Sequence, residues 1–289
     1  AVKDFNGLSI LEVSHRHKDF VAVMDEAIDL VKKALNVPAG YSVIFLQGGA
    51  SLGFSISALN MMRSTKKAAY INTGTWSKKA MTEAKKAGFD VIEAASSADT
   101  NFNYIPKSLN LNEGADYLHF TSNNTIFGTQ FKEMPSTSHP LVCDMSSDIF
   151  SREINVADFD LIYAGAQKNM GPAGTTLYIV KDDALGKSSS DFMPTYLDLK
   201  THADKDSMFN TPPVFPVYAS MLNLRNLINN GGVKAAQERN EAKAALLYNE
   251  IDSNPLFEGT VASEDRSNMN VTFLMKDESR IDEFNALWQ

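Results

Sequence analysis

Short apolar segments alternate along the chain with longer segments whose apolar residues recur every three or four positions. From Phe20 to Leu35 the apolar side chains have helical spacing, and the segment Asn36–Gly40 ends that helix. The short apolar segments that we predict as strands are Tyr41–Leu46, Ala68–Asn72, Val91–Ala94, Tyr117–Thr121, Leu141–Asp144, Leu161–Ala164 and Leu177–Val180. Because helices separate the strands, we predict an α/β protein with a mainly parallel sheet flanked by helices.

Helix signals between the strands complete this pattern. A loop over residues 47–51 precedes a helix predicted from about Leu52 to Met62, and Ser77 is a plausible N-cap of a helix that runs to Ala87. Further helices are predicted near Tyr218–Asn229 and Val233–Ile251. All of them are short enough for one globular domain.

The residues near Pro255 and Gly259 indicate a domain boundary, and Val271–Leu274 predicts a strand beyond it. We therefore expect a large domain over residues 1–257. Residues 258–289 are expected to be the start of a smaller, truncated C-terminal α/β domain.

Composition narrows the classes of function. Lys and Arg total 27 against 35 Asp and Glu, and a net charge of -8 does not favour a nucleic-acid or membrane-surface partner. The single cysteine, Cys143, cannot form an intrachain disulfide, so we expect a reducing cytoplasmic setting. His139 and His202 lack the spacing of metal ligands, and we predict no metal site.

Two ionisable residues follow neighbouring predicted strands, where ligands of parallel sheets bind. Asp144 ends a buried strand, which is costly without a partner, and a protonated pyridine nitrogen is a suitable one. Lys168 follows Gly165, where a partly desolvated amine is suited to bonding with a carbonyl carbon. The alternative interpretation of Asp144 is a capping or structural acid, and that of Lys168 is a solvated surface lysine. The occurrence of both residues after successive strands weakens each alternative.

Three other features are weaker signals. The loop Gly48–Ser51 stands between a strand and a helix, where backbone amides bind phosphate, but it matches neither the dinucleotide nor the P-loop motif. Trp76 is a candidate to stack on a flat ring, with a core tryptophan as the alternative. His15 and Arg16 are candidates for an anion, with an ordinary surface pair as the alternative.

The ordered set of motifs resembles the phosphoserine aminotransferase family, class V enzymes of fold type I that depend on pyridoxal 5'-phosphate (PLP). The similarity covers almost the whole chain, and its most specific segment is Ala164–Gly174 around Lys168. The other matching segments are Glu12–Arg16, Gln47–Ser51, Thr121–Thr129, Asp144–Ser147, Met208–Pro213 and Arg266–Val271.

The resemblance implies a role for each candidate. Lys168 corresponds to the Schiff-base lysine that also moves the substrate proton, and Asp144 to the partner of the pyridinium nitrogen. The remaining cofactor contacts that it implies are Trp76 on the ring, Thr125 near the ring hydroxyl, and Ala50, Ser51 and Gln167 at the phosphate.

The same resemblance implies partners. Asn210 and Thr211 correspond to residues that reach the cofactor phosphate of a neighbouring subunit, so a homodimer with shared sites is expected. His15 and Arg16 correspond to contacts with substrate anions. The implied reaction transfers an amino group between glutamate and 3-phosphohydroxypyruvate in L-serine biosynthesis, with a part in pyridoxine biosynthesis left open.

The chain departs from the family pattern at both ends. Relatives open with a further short glycine- and proline-containing segment, and they end with several tens of further residues that include anion-binding residues. Three alternatives therefore stay open. The first alternative is another class V transaminase or lyase, and the second is a PLP-binding but inactive truncated chain. The third is a non-enzymatic α/β scaffold in which Lys168 and Asp144 are structural.

Overall fold

A seven-stranded sheet forms the centre of the computed structural model, which describes residues 2–111 and 114–288. The strands are β1 Tyr41–Leu46, β2 Lys67–Asn72, β3 Asp90–Ser96, β4 Leu118–Thr121, β5 Leu141–Asp144, β6 Leu161–Gly165 and β7 Thr176–Lys181. Their order in the sheet is β1-β7-β6-β5-β4-β2-β3. All seven predicted strands are confirmed, with small differences at their ends.

The sheet is mainly parallel, as predicted, but β7 runs antiparallel to both of its neighbours, β6 and β1. The strands β2 to β6 are parallel to one another. Only the residues 166–175 separate β6 from β7, and this connection is too short for the helical crossover that a parallel pair needs. The chain therefore turns back, and this turn contains Lys168.

Helices cover both faces of the sheet. The described helices of the chain are α1 Lys18–Leu35, α2 Gly49–Met61, α3 Thr75–Lys86, α4 Leu199–Ala203, α5 Val214–Asn229, α6 Gly232–Ser253 and α7 Ile281–Trp288. Side chains of a strand alternate between faces. Val43 and Phe45 of β1 accordingly pack in the core below α1 and α5, whereas Ile44 and Leu46 pack in the core below α2 and α3.

The starts of α2 and α3 differ from the prediction, and α5 begins at Val214 instead of near Tyr218. The helix α2 begins at Gly49 instead of Leu52, so the predicted phosphate loop forms its first turn. The helix α3 begins at Thr75, and Ser77 is its third residue rather than its N-cap. The Ser77 hydroxyl accepts hydrogen bonds from the amides of Thr73 and Gly74, both 3.0 Å away, and so fixes this turn from inside the helix.

The C-terminal region packs against the second half of α6. Strands β8 Phe257–Gly259 and β9 Phe273–Met275 pair antiparallel, and β9 corresponds to the predicted strand Val271–Leu274. Their aromatic side chains pack with Tyr248 and Ile251 of α6. The domain boundary between residues 257 and 258 falls inside β8 and stays a prediction. Within the described residues, no helix has the length and apolar character needed to cross a membrane.

Candidate active site

A cavity of about 470 Å³ lies at the carboxyl ends of β4, β5 and β6, facing the first turns of α2 and α3. It brings together seven of the residues that the sequence singled out: Ala50, Ser51, Trp76, Thr125, Asp144, Gln167 and Lys168. Its size is typical of small-molecule sites. This is the location that the rule for ligand binding in parallel sheets predicts.

Asp144 lies at the floor of this cavity with a carboxylate that is held on one side only. Its Oδ1 accepts hydrogen bonds from the Ser146 amide (2.9 Å) and the Ser146 hydroxyl (2.6 Å). The Ser146 hydroxyl in turn accepts one from the Gly165 amide at 3.0 Å. No described residue donates to Oδ2, so this oxygen is free to bind a ligand.

Burial raises the pKa of Asp144, and the Ser146 hydrogen bonds and the Lys168 charge oppose that increase. The carboxylate is almost fully buried, with 4% of the residue exposed. A buried carboxylate without a full set of donors favours a cationic partner. The site is therefore prepared for a positively charged group at Oδ2.

Lys168 reaches into the cavity from the turn between β6 and β7. Its Nζ donates to the Thr125 hydroxyl at 2.5 Å and lies 5.5 Å from the centre of the Trp76 ring. Partial desolvation lowers the pKa of the Lys168 amine, while Asp144 and Asp148 act in the opposite direction. A lower pKa increases the fraction of neutral amine, which is the nucleophilic form.

The opposite end of the cavity is built to receive an anion. Gly48 (φ 105°) and Gly49 (φ 63°) adopt left-handed conformations that turn the chain from β1 into α2. The amides of Ala50 and Ser51 are in the first turn of this helix, where N–H groups have no partner within the helix. A Cβ on Gly165 would lie 2.7 Å from Gln167 Oε1 and 3.4 Å from the Ala50 nitrogen, so these polar groups converge around a glycine.

Four predicted site residues lie outside the lining of the cavity. Asn210 and Thr211 are exposed, and Gln47, which precedes the glycines of the cavity lining, donates from Nε2 to the Thr211 carbonyl at 2.5 Å. His15 and Arg16 precede α1 and also lie away from the cavity lining. The roles predicted for these four residues stay predictions.

Several other residues of the lining had no predicted role. These are Thr121, Asn123, Ser146, Ser147, Ala173 and Gly174. The position of Thr121 at the end of β4 was a usable signal, since Asp144 was found by the same rule. The hydroxyl of Thr121 is buried without a partner in the described structure, and so it is available to a ligand.

Larger cavities exist elsewhere. One of about 620 Å³ lies beside α5 and α6 and is lined by asparagines with Arg239 and Lys243. It contains no carboxylate among its lining residues. We assign the site to the smaller cavity because a lysine with a lowered pKa, a half-satisfied carboxylate and free helix amides meet there.

Comparison with known proteins agrees with this geometry. The sequence model of the family "Aminotransferase class-V" matches residues 2–286. The phosphoserine aminotransferase of Flavobacterium psychrophilum is 55% identical over 291 residues, which cover 100% of this chain and 81% of the relative. That of Bacteroides fragilis is 55% identical over 280 residues, 96% of this chain and 78% of the relative.

Solved structures give the same result. Phosphoserine aminotransferase from Bacillus circulans subsp. alkalophilus superposes with a TM-score of 0.93 at 42% identity, covering 98% of this chain and 79% of that one. The PLP-bound enzyme from Trichomonas vaginalis gives a TM-score of 0.90 at 35% identity, covering 96% and 80%. The fold class and the resemblance found in the sequence are thereby confirmed: this chain belongs to the class-V aminotransferase family.

Proposed function

We propose that this chain is a PLP-dependent phosphoserine transaminase. It transfers the amino group of glutamate to 3-phosphohydroxypyruvate, giving 2-oxoglutarate and O-phospho-L-serine. The observation that carries the proposal is the meeting of Lys168, Asp144 and the first turn of α2 in one cavity. The relatives at 55% identity named phosphoserine aminotransferase give the substrate class.

The residues of the cavity fit PLP at three points. The amides of Ala50 and Ser51 and the Gln167 side chain suit its phosphate. The free Oδ2 of Asp144 suits its ring nitrogen in the protonated form, and Trp76 suits the face of its ring. The unpartnered hydroxyl of Thr121 is a further polar group on the same wall.

When bound, PLP supplies an electrophilic carbonyl carbon and a ring that withdraws electrons. The chain supplies the groups that direct this chemistry. The Lys168 amine would hold the cofactor through that carbonyl carbon. Once the substrate amine has displaced it, Lys168 would take the proton from the substrate Cα and deliver it to the cofactor carbon in the same half-reaction, and it would carry a proton in the opposite direction in the second half-reaction. Thr125 orients that amine through its 2.5 Å hydrogen bond. The Asp144 carboxylate would favour the protonated form of the ring nitrogen by electrostatic attraction.

We place the enzyme in the cytoplasm as a homodimer. The sequence has a single cysteine and therefore no intrachain disulfide, which suits a protein kept in reducing surroundings. The exposed loop with Asn210 and Thr211 is tied to Gln47 at the phosphate end of the cavity, and a partner subunit would use it to complete the site. Sedimentation of the PLP-loaded protein tests the dimer, and a monomeric mass at micromolar concentration would contradict it.

A spectroscopic and a kinetic experiment test the proposed function. The purified protein is expected to be yellow with PLP, and borohydride reduction followed by peptide mapping should place the label on Lys168. The coupled assay then compares 3-phosphohydroxypyruvate with pyruvate and glyoxylate as amino acceptors. A clear preference for the phosphorylated acceptor supports the assignment, and a preference for an unphosphorylated one would indicate another class-V transaminase.

Lys168→Ala should abolish turnover and leave the free energy of unfolding nearly unchanged, because it removes one partly exposed side chain. Lys234→Ala, on the exposed face of α6, is the matched control and should keep full activity. Near-normal transamination by Lys168→Ala would refute the role of this lysine. A colourless protein that stays colourless with added PLP would refute the cofactor.

A further inference from the structure

Asn123 holds the wall of the cavity with a side-chain amide that is fully used inside the protein. The residue follows β4 and is 1% exposed. Its Nδ2 donates to the Ser147 hydroxyl at 2.9 Å and to Asn270 Oδ1 at 2.8 Å. Its Oδ1 accepts from the Ser267 hydroxyl at 2.5 Å. The amide therefore joins a residue of the cavity lining to two residues of the segment before β9.

The other end of this connection is fixed as firmly. The Ser267 hydroxyl, which is buried, accepts hydrogen bonds from the amides of Met269 and Asn270, both at 2.9 Å. The Ser267 carbonyl accepts from the Tyr248 hydroxyl of α6 at 2.9 Å. Because the Ser267 oxygen accepts these two hydrogen bonds, its own hydrogen points toward Asn123. The segment before β9 therefore cannot shift without disturbing the side-chain amide of Asn123.

A salt bridge anchors the same segment on its outer side. The Arg266 guanidinium binds both carboxylate oxygens of Asp252 at 2.7 Å and lies 4.6 Å from the centre of the Tyr248 ring. A bidentate arginine–carboxylate pair fixes direction as well as distance. The motif Arg266–Val271, which had no role beyond a family match, is thus a brace between α6 and Asn123.

On the cavity side, Asn123 is the base of the loop that presents Thr125. The Asn124 amide donates to the Thr129 carbonyl at 2.7 Å, and the Gly128 amide donates to the Asn124 carbonyl at 2.9 Å. These bonds close the loop into a tight unit, and Thr125 contacts the Lys168 amine from within it. A tilt of the unit at Asn123 would therefore move Thr125 relative to Lys168.

From this geometry we infer that Asn123 is a positioning residue, through which the brace at Ser267 and Asn270 fixes the loop of Thr125 against Lys168. The inference rests on the proposed function, since its readout is PLP binding. Asn123 acts through Thr125 and Ser147 and needs no contact with the reacting atoms. A buried polar network of this kind specifies one arrangement only when every member is satisfied.

The test removes one hydrogen bond at the far end of the brace and measures the cofactor. Ser267→Ala deletes the donor to Asn123 Oδ1, and the affinity for PLP is then measured by absorbance titration of the cofactor-free protein. A neutral hydrogen bond of this size corresponds to a loss of roughly tenfold. Asn270→Ala, at a partly exposed position, should give a smaller loss in the same direction.

Thr272→Val is the matched control. The Thr272 hydroxyl donates to the Phe127 carbonyl at 3.1 Å, so it joins the same two segments without passing through Asn123. The control should lower the thermal midpoint as Ser267→Ala does and leave the PLP affinity within about twofold of wild type, below one neutral hydrogen bond. This contrast separates positioning from a general loss of stability.

A double-mutant cycle with Asn123→Ala gives the decisive comparison. If Ser267 acts through Asn123, Ser267→Ala has no further effect on PLP affinity in the Asn123→Ala background. Multiplying effects, or equal losses in Ser267→Ala and Thr272→Val, would overturn the inference. A wild-type protein that binds no PLP would instead contradict the proposed function before any variant is compared.

Discussion

Ser146→Ala is the substitution that most directly tests how the chain prepares Asp144. The Ser146 hydroxyl donates to Asp144 Oδ1 at 2.6 Å, and the Ser146 amide supplies a second hydrogen bond to the same oxygen. Alanine keeps the amide and removes the hydroxyl. Asp144 then loses one of the two donors that oppose the effect of burial on its pKa, which therefore rises further.

The structure gives the size of the effect. A hydrogen bond to a charged group contributes about 1.5–3 kcal/mol, and we take the lower end because the Ser146 amide still donates to the same oxygen. That amount corresponds to a roughly tenfold weaker affinity for PLP at neutral pH. The Gly165 amide also loses its acceptor, the Ser146 hydroxyl. The loss of this neutral hydrogen bond lowers the free energy of unfolding as well.

The assay is PLP affinity as a function of pH. Binding of a cationic ring nitrogen needs the ionised carboxylate, so affinity is lost as pH falls through the pKa of Asp144. Because the substitution raises this pKa, the loss should begin at a higher pH in Ser146→Ala than in wild type. Ser147→Ala is the control, since the Ser147 hydroxyl lines the same cavity but bonds to Asn123 instead of Asp144.

An unchanged pH dependence in Ser146→Ala, with only a uniform drop in affinity, would refute the reasoning. It would mean that Oδ1 does not control the ionisation of Asp144. A shift of equal size in Ser147→Ala would refute it as well, because the effect would then belong to the cavity wall in general.

Two other predictions concern stability. Arg152→Met should lower the free energy of unfolding, measured in urea, by about 3–5 kcal/mol, because it leaves the buried Asp148 carboxylate without the guanidinium 3.2 Å away. A decrease below about 1 kcal/mol would show that this salt bridge contributes little to stability. Burial lowers the pKa of His119 to about 3. Between that pH and about 6.5 the unfolded chain therefore binds more protons than the folded chain. The free energy of unfolding should accordingly decrease with falling pH, by up to about 1.4 kcal/mol per pH unit. His119→Gln should remove this component between pH 4 and 6, and an unchanged slope in denaturant titrations would assign it to other groups.

The sheet could be predicted because its strands are buried on both faces. A strand such as Leu161–Gly165 has apolar or small side chains throughout, and it is visible without knowledge of its neighbours. The reversed direction of β7 could not be seen in the same way. An apolar segment has the same pattern in either direction, and only the length of the connection after β6 decides the outcome.

The site was predicted where one residue type follows a strand, as for Asp144 and Lys168. The loop Gly48–Ser51 was also predicted as a phosphate site, but the start of α2 within it was not, because glycines are poor helix formers and the start of the helix depends on their left-handed conformations. Asn123 was missed for another reason. Its hydrogen bond to Ser267 spans 144 positions, and no local pattern reports a partner so distant in the chain.

The pairing of β1 with β7 has a consequence for folding of the chain during its synthesis on the ribosome. Among the described strands β1 pairs only with β7, and Leu46 is joined to Thr176, which is synthesised 130 residues later. At about 5–20 residues per second, the apolar β1 waits roughly 7–26 s for its neighbour. The glycine turn that follows β1 is therefore one of the first parts of the cavity to be synthesised and among the last to be fixed by strand pairing. A nascent chain that does not yet include β7 exposes an unpaired strand to chaperones or to other chains.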